Sequence, residues 1–120
     1  MSRAQERQRL ARMAELAALK RDAHLARLAK HVQAQAETEG RLAALRAGAA
    51  APLPPDPALW AAQQSHRQWA EGQRKALNGE LARERAATMA ARAVAARSTG
   101  RAAVLARLAA GTRRVSDDHA

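Results

Sequence analysis

Residues 48–57 read Gly48-Ala49-Ala50-Ala51-Pro52-Leu53-Pro54-Pro55-Asp56-Pro57. No helix crosses this stretch, because each proline lacks an amide donor and its ring collides with a preceding carbonyl. On both sides the chain is built mostly from Ala, Leu, Arg, Gln, Glu and Met, all strong helix formers. Toward the N-terminus, Ser2-Arg3-Ala4-Gln5 has the form of a capping box, and Gly48 marks a stop. Toward the C-terminus, Asp56 offers an N-cap with Pro57 at the first helical position, and helical sequence runs to Gly111. The expectation is an all-α protein: helices over 3–47 and 57–110 joined by a Pro-rich loop, 48–56. A loop this short favours an antiparallel coiled-coil hairpin. The alternative is a bent chain that pairs only with another chain. Residues 112–120 lack an apolar period and read as a flexible tail.

Composition points the same way. Of the 120 residues 35 are Ala, whereas Leu, Val, Met and Trp together supply 22, and Cys, Ile, Phe and Tyr are absent. Alanine buries little area, so a compact globular core is excluded. Scarce β-branched residues argue against a sheet. Without cysteine there are no disulfides, thiolate metal sites or thiol nucleophiles. No apolar run reaches transmembrane length, and the charged N-terminus is unlike a secretory leader. The reading is therefore a cytoplasmic chain with no membrane insertion.

Alternating steps of three and four mark a seam in the second helix. They run Trp60, Gln63, Arg67, Ala70, Arg74, Leu77, Leu81, Glu84, Thr88, Ala91, Ala95, Ser98, Ala102, Leu105, Ala109, mostly small or apolar. In the first helix the larger residues are Leu10, Met13, Leu16, Leu19, Leu25, Leu28, Val32, Leu42 and Leu45, a less regular stripe. Leu28, Trp60, Leu77, Leu81, Ala91, Ala95 and Ala102 are the expected seam. Gly72, Gly79 and Gly100 would allow close helix contact. The two tryptophans are nine apart, on opposite sides of the helix. Trp60 is expected to plug the seam near the loop, leaving Trp69 outside as an interface anchor; the competing reading sets Trp69 over the seam edge and frees Trp60.

Pairing the helices outward from the loop makes facing positions sum to about 104. Helix two would then overhang helix one beyond Arg101, leaving Val104, Leu105 and Leu108 as an exposed binding stripe. The net charge is +10 from 21 Lys+Arg and 11 Asp+Glu. The excess lies in residues 1–31 and 85–114, which a hairpin sets side by side. Arg3, Arg7, Arg9, Arg12, Arg92, Arg97, Arg101 and Arg107 thus form a basic surface for an acidic protein or for phosphates.

No catalytic constellation, cofactor site or metal site is expected. His24 and His31 are two helical turns apart, too far to share one metal ion. A two-helix hairpin has no pocket to exclude water, so the chain reads as a non-enzyme. A nucleic-acid role is the lesser alternative, since no aromatic residues interleave with the arginines and no helix-turn-helix appears. A generic coiled-coil scaffold or oligomerisation module is a further alternative.

The stretch Gln73-Arg74-Lys75-Ala76-Leu77-Asn78-Gly79-Glu80-Leu81-Ala82-Arg83-Glu84-Arg85 is charged and punctuated by leucine. With the two long basic helices around it, it resembles the second helix of the flagellar FliJ and type III secretion YscO stalk proteins. The resemblance implies a role without catalysis. Such stalks sit inside a hexameric export ATPase, promote assembly of its ring and link it to the export gate. By that resemblance the basic surface would meet the ATPase, and the neutral loop region with Trp60 or Trp69 would face the gate.

Overall fold

A computed structural model describes residues 2–118. Helix α1 spans Arg3–Ala49, a single 3-10 turn spans Pro57–Leu59, and helix α2 spans Trp60–Asp118. Among the described residues there is no strand. The fold is an all-α antiparallel coiled-coil hairpin in two compact units. The turn unit comprises His31–Thr88, and the terminal unit combines Met1–Lys30 with Met89–Ala120.

The caps follow from local chemistry. Ser2 and Gln5 satisfy each other: the Ser2 amide donates to Gln5 Oε1 at 3.1 Å, and the Gln5 amide donates to Ser2 Oγ at 3.2 Å. Asp56 accepts the Ala58 amide at 2.9 Å, with Pro57 beginning the turn. Gly48 is not a left-handed stop; no glycine among the described residues has positive φ. Helix α1 runs through it to Ala49 and ends because Pro52 follows. Helix α2 likewise continues past Gly111, and residues 112–118 of the expected tail are helical. His119 and Ala120 of that tail lie outside the described residues.

From Leu77 to Ala109 the three-four stripe of α2 is its buried or half-buried face. Leu81, Thr88, Ala95, Ser98, Ala102 and Ala109 are buried, and Leu77, Glu84, Ala91 and Leu105 half-buried. In α1 the inward face is Leu10, Ala14, Ala17, Arg21, His24, Leu28, His31, Gln35, Thr38, Leu42 and Leu45. It repeats in threes and fours like its partner. Five of the larger residues expected there, Met13, Leu16, Leu19, Leu25 and Val32, are instead exposed. Polar side chains take their place. In the turn unit the Thr38 hydroxyl shares its single proton between Glu84 Oε1, at 2.9 Å, and the Ala34 carbonyl, at 3.2 Å. Glu39 and Arg85 pair beside it at 3.5 Å. In the terminal unit His24 Nδ1 and Ser98 Oγ share a short hydrogen bond.

These pairs correct the register. Positions 24 and 98, and positions 38 and 84, sum to 122 rather than the expected 104. Pairing outward from the loop assumed that α2 meets α1 at its first residue. Instead the loop runs back beside the first turns of α2 before α1 begins to pair. Ten residues, 50–59, easily cover those turns, roughly 20 Å of helix. The consequence for α2 is reversed. Its C-terminal half does not overhang: Leu105 is half-buried in the seam, and Ala106 and Ala109 line a shallow groove with Ala11, Ala14 and Ala18.

Trp60 is also corrected. It is 51% exposed, and its indole N–H donates to the Pro54 carbonyl at 3.0 Å. It ties the loop to the start of α2 rather than plugging the seam. Nor do the glycines mark close helix contact. A Cβ at Gly72 or Gly100 would meet nothing within 4 Å, and one at Gly79 would meet only the Arg83 guanidinium at 3.7 Å.

Two stability outcomes follow, each read by thermal unfolding with circular dichroism. Gly100→Ala should stabilise the protein by about 1 kcal/mol, since it lowers backbone entropy in an unobstructed helix. Thr88 Oγ1 is buried without a hydrogen-bond partner, so Thr88→Val, close in shape, should add about 1 kcal/mol. A fall in melting temperature for either would contradict the packing described.

Candidate protein-docking surface

The surface is built from heptad geometry. With the seam at positions a and d, facing e positions border one side of an antiparallel pair and facing g positions the other. Glu39 and Arg85 occupy facing e positions in the turn unit. In the terminal unit the same spacing sets Met13 opposite Leu108 and Lys20 opposite Arg101 along the g side. Leu16 and Val104, at c positions, widen that flank.

The candidate residues therefore do not form one surface. Arg9, Arg97, Arg101, Val104 and Leu108 share the g/c flank. Arg92 lies on the opposite, e/b flank. Arg12 and Arg107 point away from the seam on the outer ridges, while Arg3 and Arg7 stand on the seam line near the start of α1. Leu105 lies beneath the g/c flank, half-buried. Between residues 9–30 and 89–112 the g/c flank carries Arg9, Lys20, Arg27, Lys30, Arg97 and Arg101 and no carboxylate, whereas beyond those bounds Glu6 and Asp118 fall at its g and c positions. Over the same residues the e/b flank carries Glu15, Asp22 and Arg92, with exposed Leu25 and Met89, and is otherwise largely alanine. Counted by unit, the terminal unit has a net charge of +9 and the turn unit +1.

Composition had not revealed the contribution of Met13 and Leu16, or of Lys20, Arg27 and Lys30. The signal is the heptad phase of α1, legible only once the polar residues Arg21, His24, His31, Gln35 and Thr38 are recognised as the seam.

The turn unit holds a second concavity. A cleft of about 780 Å³ opens between residues 44–51 and the first turns of α2, lined by Leu45, Arg46, Gln63, His66, Arg67 and Arg74 among others. Arg74 donates to Glu71 at 2.5 Å, which holds the Glu71 carboxyl below its ordinary range. Trp69 is 56% exposed and stacks on His66 with ring centroids 5.6 Å apart. It lies on the exposed side of α2.

Among the described residues no helix is long and apolar enough to cross a membrane. Compared with protein-family models, curated proteins and solved structures, the chain matches none.

Lys20 and Arg101 face each other with like charge in a unit of net +9, so salt should strengthen the fold. The melting temperature should rise between about 10 mM and about 300 mM NaCl. Arg101→Glu should raise stability at low salt by about 0.5 kcal/mol and shrink the salt dependence of the melting temperature. A salt-independent melting temperature would refute the facing arrangement.

Proposed function

We propose that the chain is a non-catalytic coiled-coil adaptor of the cytoplasm that docks its terminal unit on an acidic protein surface. In its most specific form the proposal makes it the stalk of a flagellar or type III protein-export ATPase, promoting ring assembly and coupling the ring to the export gate. The observation that carries the reading is a coincidence in one unit: nearly all the excess positive charge, and exposed apolar side chains between its cations. Charge alone steers a partner and sets the approach, while exposed apolar area supplies affinity once water is displaced. The fold offers surfaces rather than an enclosed site, which suits assembly better than catalysis. The stalk assignment draws its support from the resemblance of the two basic helices and of residues 73–85 to the FliJ and YscO proteins.

A second reading is favoured by the same charge: the cations could follow a phosphate backbone. The two differ in salt response and in partner choice. A phosphate reader loses affinity steeply with salt and accepts any sequence. A stalk binds one ATPase and raises its turnover.

The export ATPase encoded in the same genome should be retained by the tagged chain, and its hydrolysis should rise on mixing. Replacing Arg92, Arg97, Arg101 and Arg107 with Glu should abolish retention while far-UV circular dichroism stays helical. Retention unchanged by the four replacements would refute the docking surface. A chain that neither binds nor activates the ATPase would refute the stalk assignment.

A further inference from the structure

We infer that the g/c flank of the terminal unit is a groove for one acidic amphipathic helix of another protein, which would lie along it as a third strand of the coiled coil. The inference rests on the adaptor reading and names the kind of partner that reading requires.

Three observations converge. Met13, Leu16, Val104 and Leu108 are 47%, 56%, 46% and 53% exposed, and the register brings them to one flank, two from each helix. Four large apolar side chains at three-residue and four-residue spacing across a helix pair match the apolar face of a further helix. The rest of the flank's charge has one sign: six cations and no carboxylate over residues 9–30 and 89–112. The opposite flank of the same two helices differs in charge and in apolar grouping. It carries two carboxylates and one arginine, its exposed large apolar side chains are Leu25 and Met89 rather than a cluster of four, and its groove is lined mainly by alanine. Sidedness of this kind specifies an occupant with leucine-like residues on one face and Asp or Glu beside them.

Other occupants fit less well. A second copy would bring its own six cations against these, a like-charge contact. An anionic bilayer would meet only four aliphatic side chains with no aromatic residue among them, too little apolar area for stable insertion. A phosphate backbone would leave the apolar quartet without a partner.

The test uses the full chain and fluorescently labelled synthetic peptides, read by anisotropy. One peptide carries Leu at helical three-four spacing and Glu on the flanking positions. A second replaces every Glu by Lys, and a third keeps Glu but replaces every Leu by Gln. The first should bind saturably, and the other two should bind at least about tenfold more weakly. The double variants Met13→Gln with Leu108→Gln, and Arg97→Glu with Arg101→Glu, should each weaken the first peptide about tenfold or more. Glu15→Gln with Ala110→Gln on the other flank should change affinity by less than about twofold. All these positions are exposed or half-buried, so circular dichroism should remain helical, and Leu16→Gln with Val104→Gln provides a second apolar pair. Four results would overturn the inference: no binding of the first peptide, equal binding of the Leu-free peptide, equal loss from the opposite flank, or sedimentation with phosphatidylserine vesicles without peptide binding. Because no ATPase is present, the groove can stand if the stalk assignment fails, and the reverse.

Discussion

The hydrogen bond from Thr38 to the Glu84 carboxylate sets a constraint on which the other pairings depend. The seam is otherwise mostly alanine and leucine, and alanine layers differ little when one helix slides a heptad along the other. The Glu84 carboxylate is different: a heptad shift toward the loop sets it opposite Leu45, where it loses its donor and stays desolvated, and the reverse shift sets Ser98 opposite Ala17. His24 with Ser98 applies the same constraint in the terminal unit. A single polar layer is a known means of specifying coiled-coil register at some cost in stability. Here both layers give the same offset, and from that offset come the pairings Lys20 with Arg101 and Met13 with Leu108.

The cost is visible in the seam. Leu42 and Leu81 are its only large apolar residues that are buried among those described. Glu84 Oε2 and Thr88 Oγ1 are buried without partners, and alanine at the closest layers offers little area. Meanwhile Met13, Leu16, Val104 and Leu108 face water. The chain thus spends its bulkiest side chains outside its own interface, the reverse of what intramolecular stability alone would select. This distribution makes sense if part of the apolar surface is completed by another molecule.

The sequence disclosed the fold because its strongest signals are local. Four prolines stop a helix regardless of context, and Asp56 before Pro57 or Ser2 before Gln5 cap one by short-range chemistry. The stripe from Leu77 to Ala109 was also legible, since small and apolar residues recur there at every step but Glu84. Helix α1 misled for a physical reason. Size is no mark of burial there: Leu19 sits at an outer f position while His24 and Gln35 face the partner helix. The register could not be counted from the loop, because a proline-rich segment is extended and its reach says little about where pairing starts. Trp60 illustrates the same point. Its indole is committed to the Pro54 carbonyl, a contact that depends on the path of the loop rather than on helical phase.

Sidedness is the property that no composition argument could have supplied. A net charge of +10 describes a long-range field, and a field brings many polyanions near the chain without choosing among them. Choice arises at shorter range, where displaced water makes a mismatched pair expensive. The heptad register performs that conversion. It gathers six of the cations and four aliphatic side chains on one flank and places Glu15 and Asp22 on the other. A surface with attraction on one side and carboxylates on the other would orient a helix as well as hold it. The proposed adaptor role needs that orientation, since an adaptor must present one protein to another in a fixed direction.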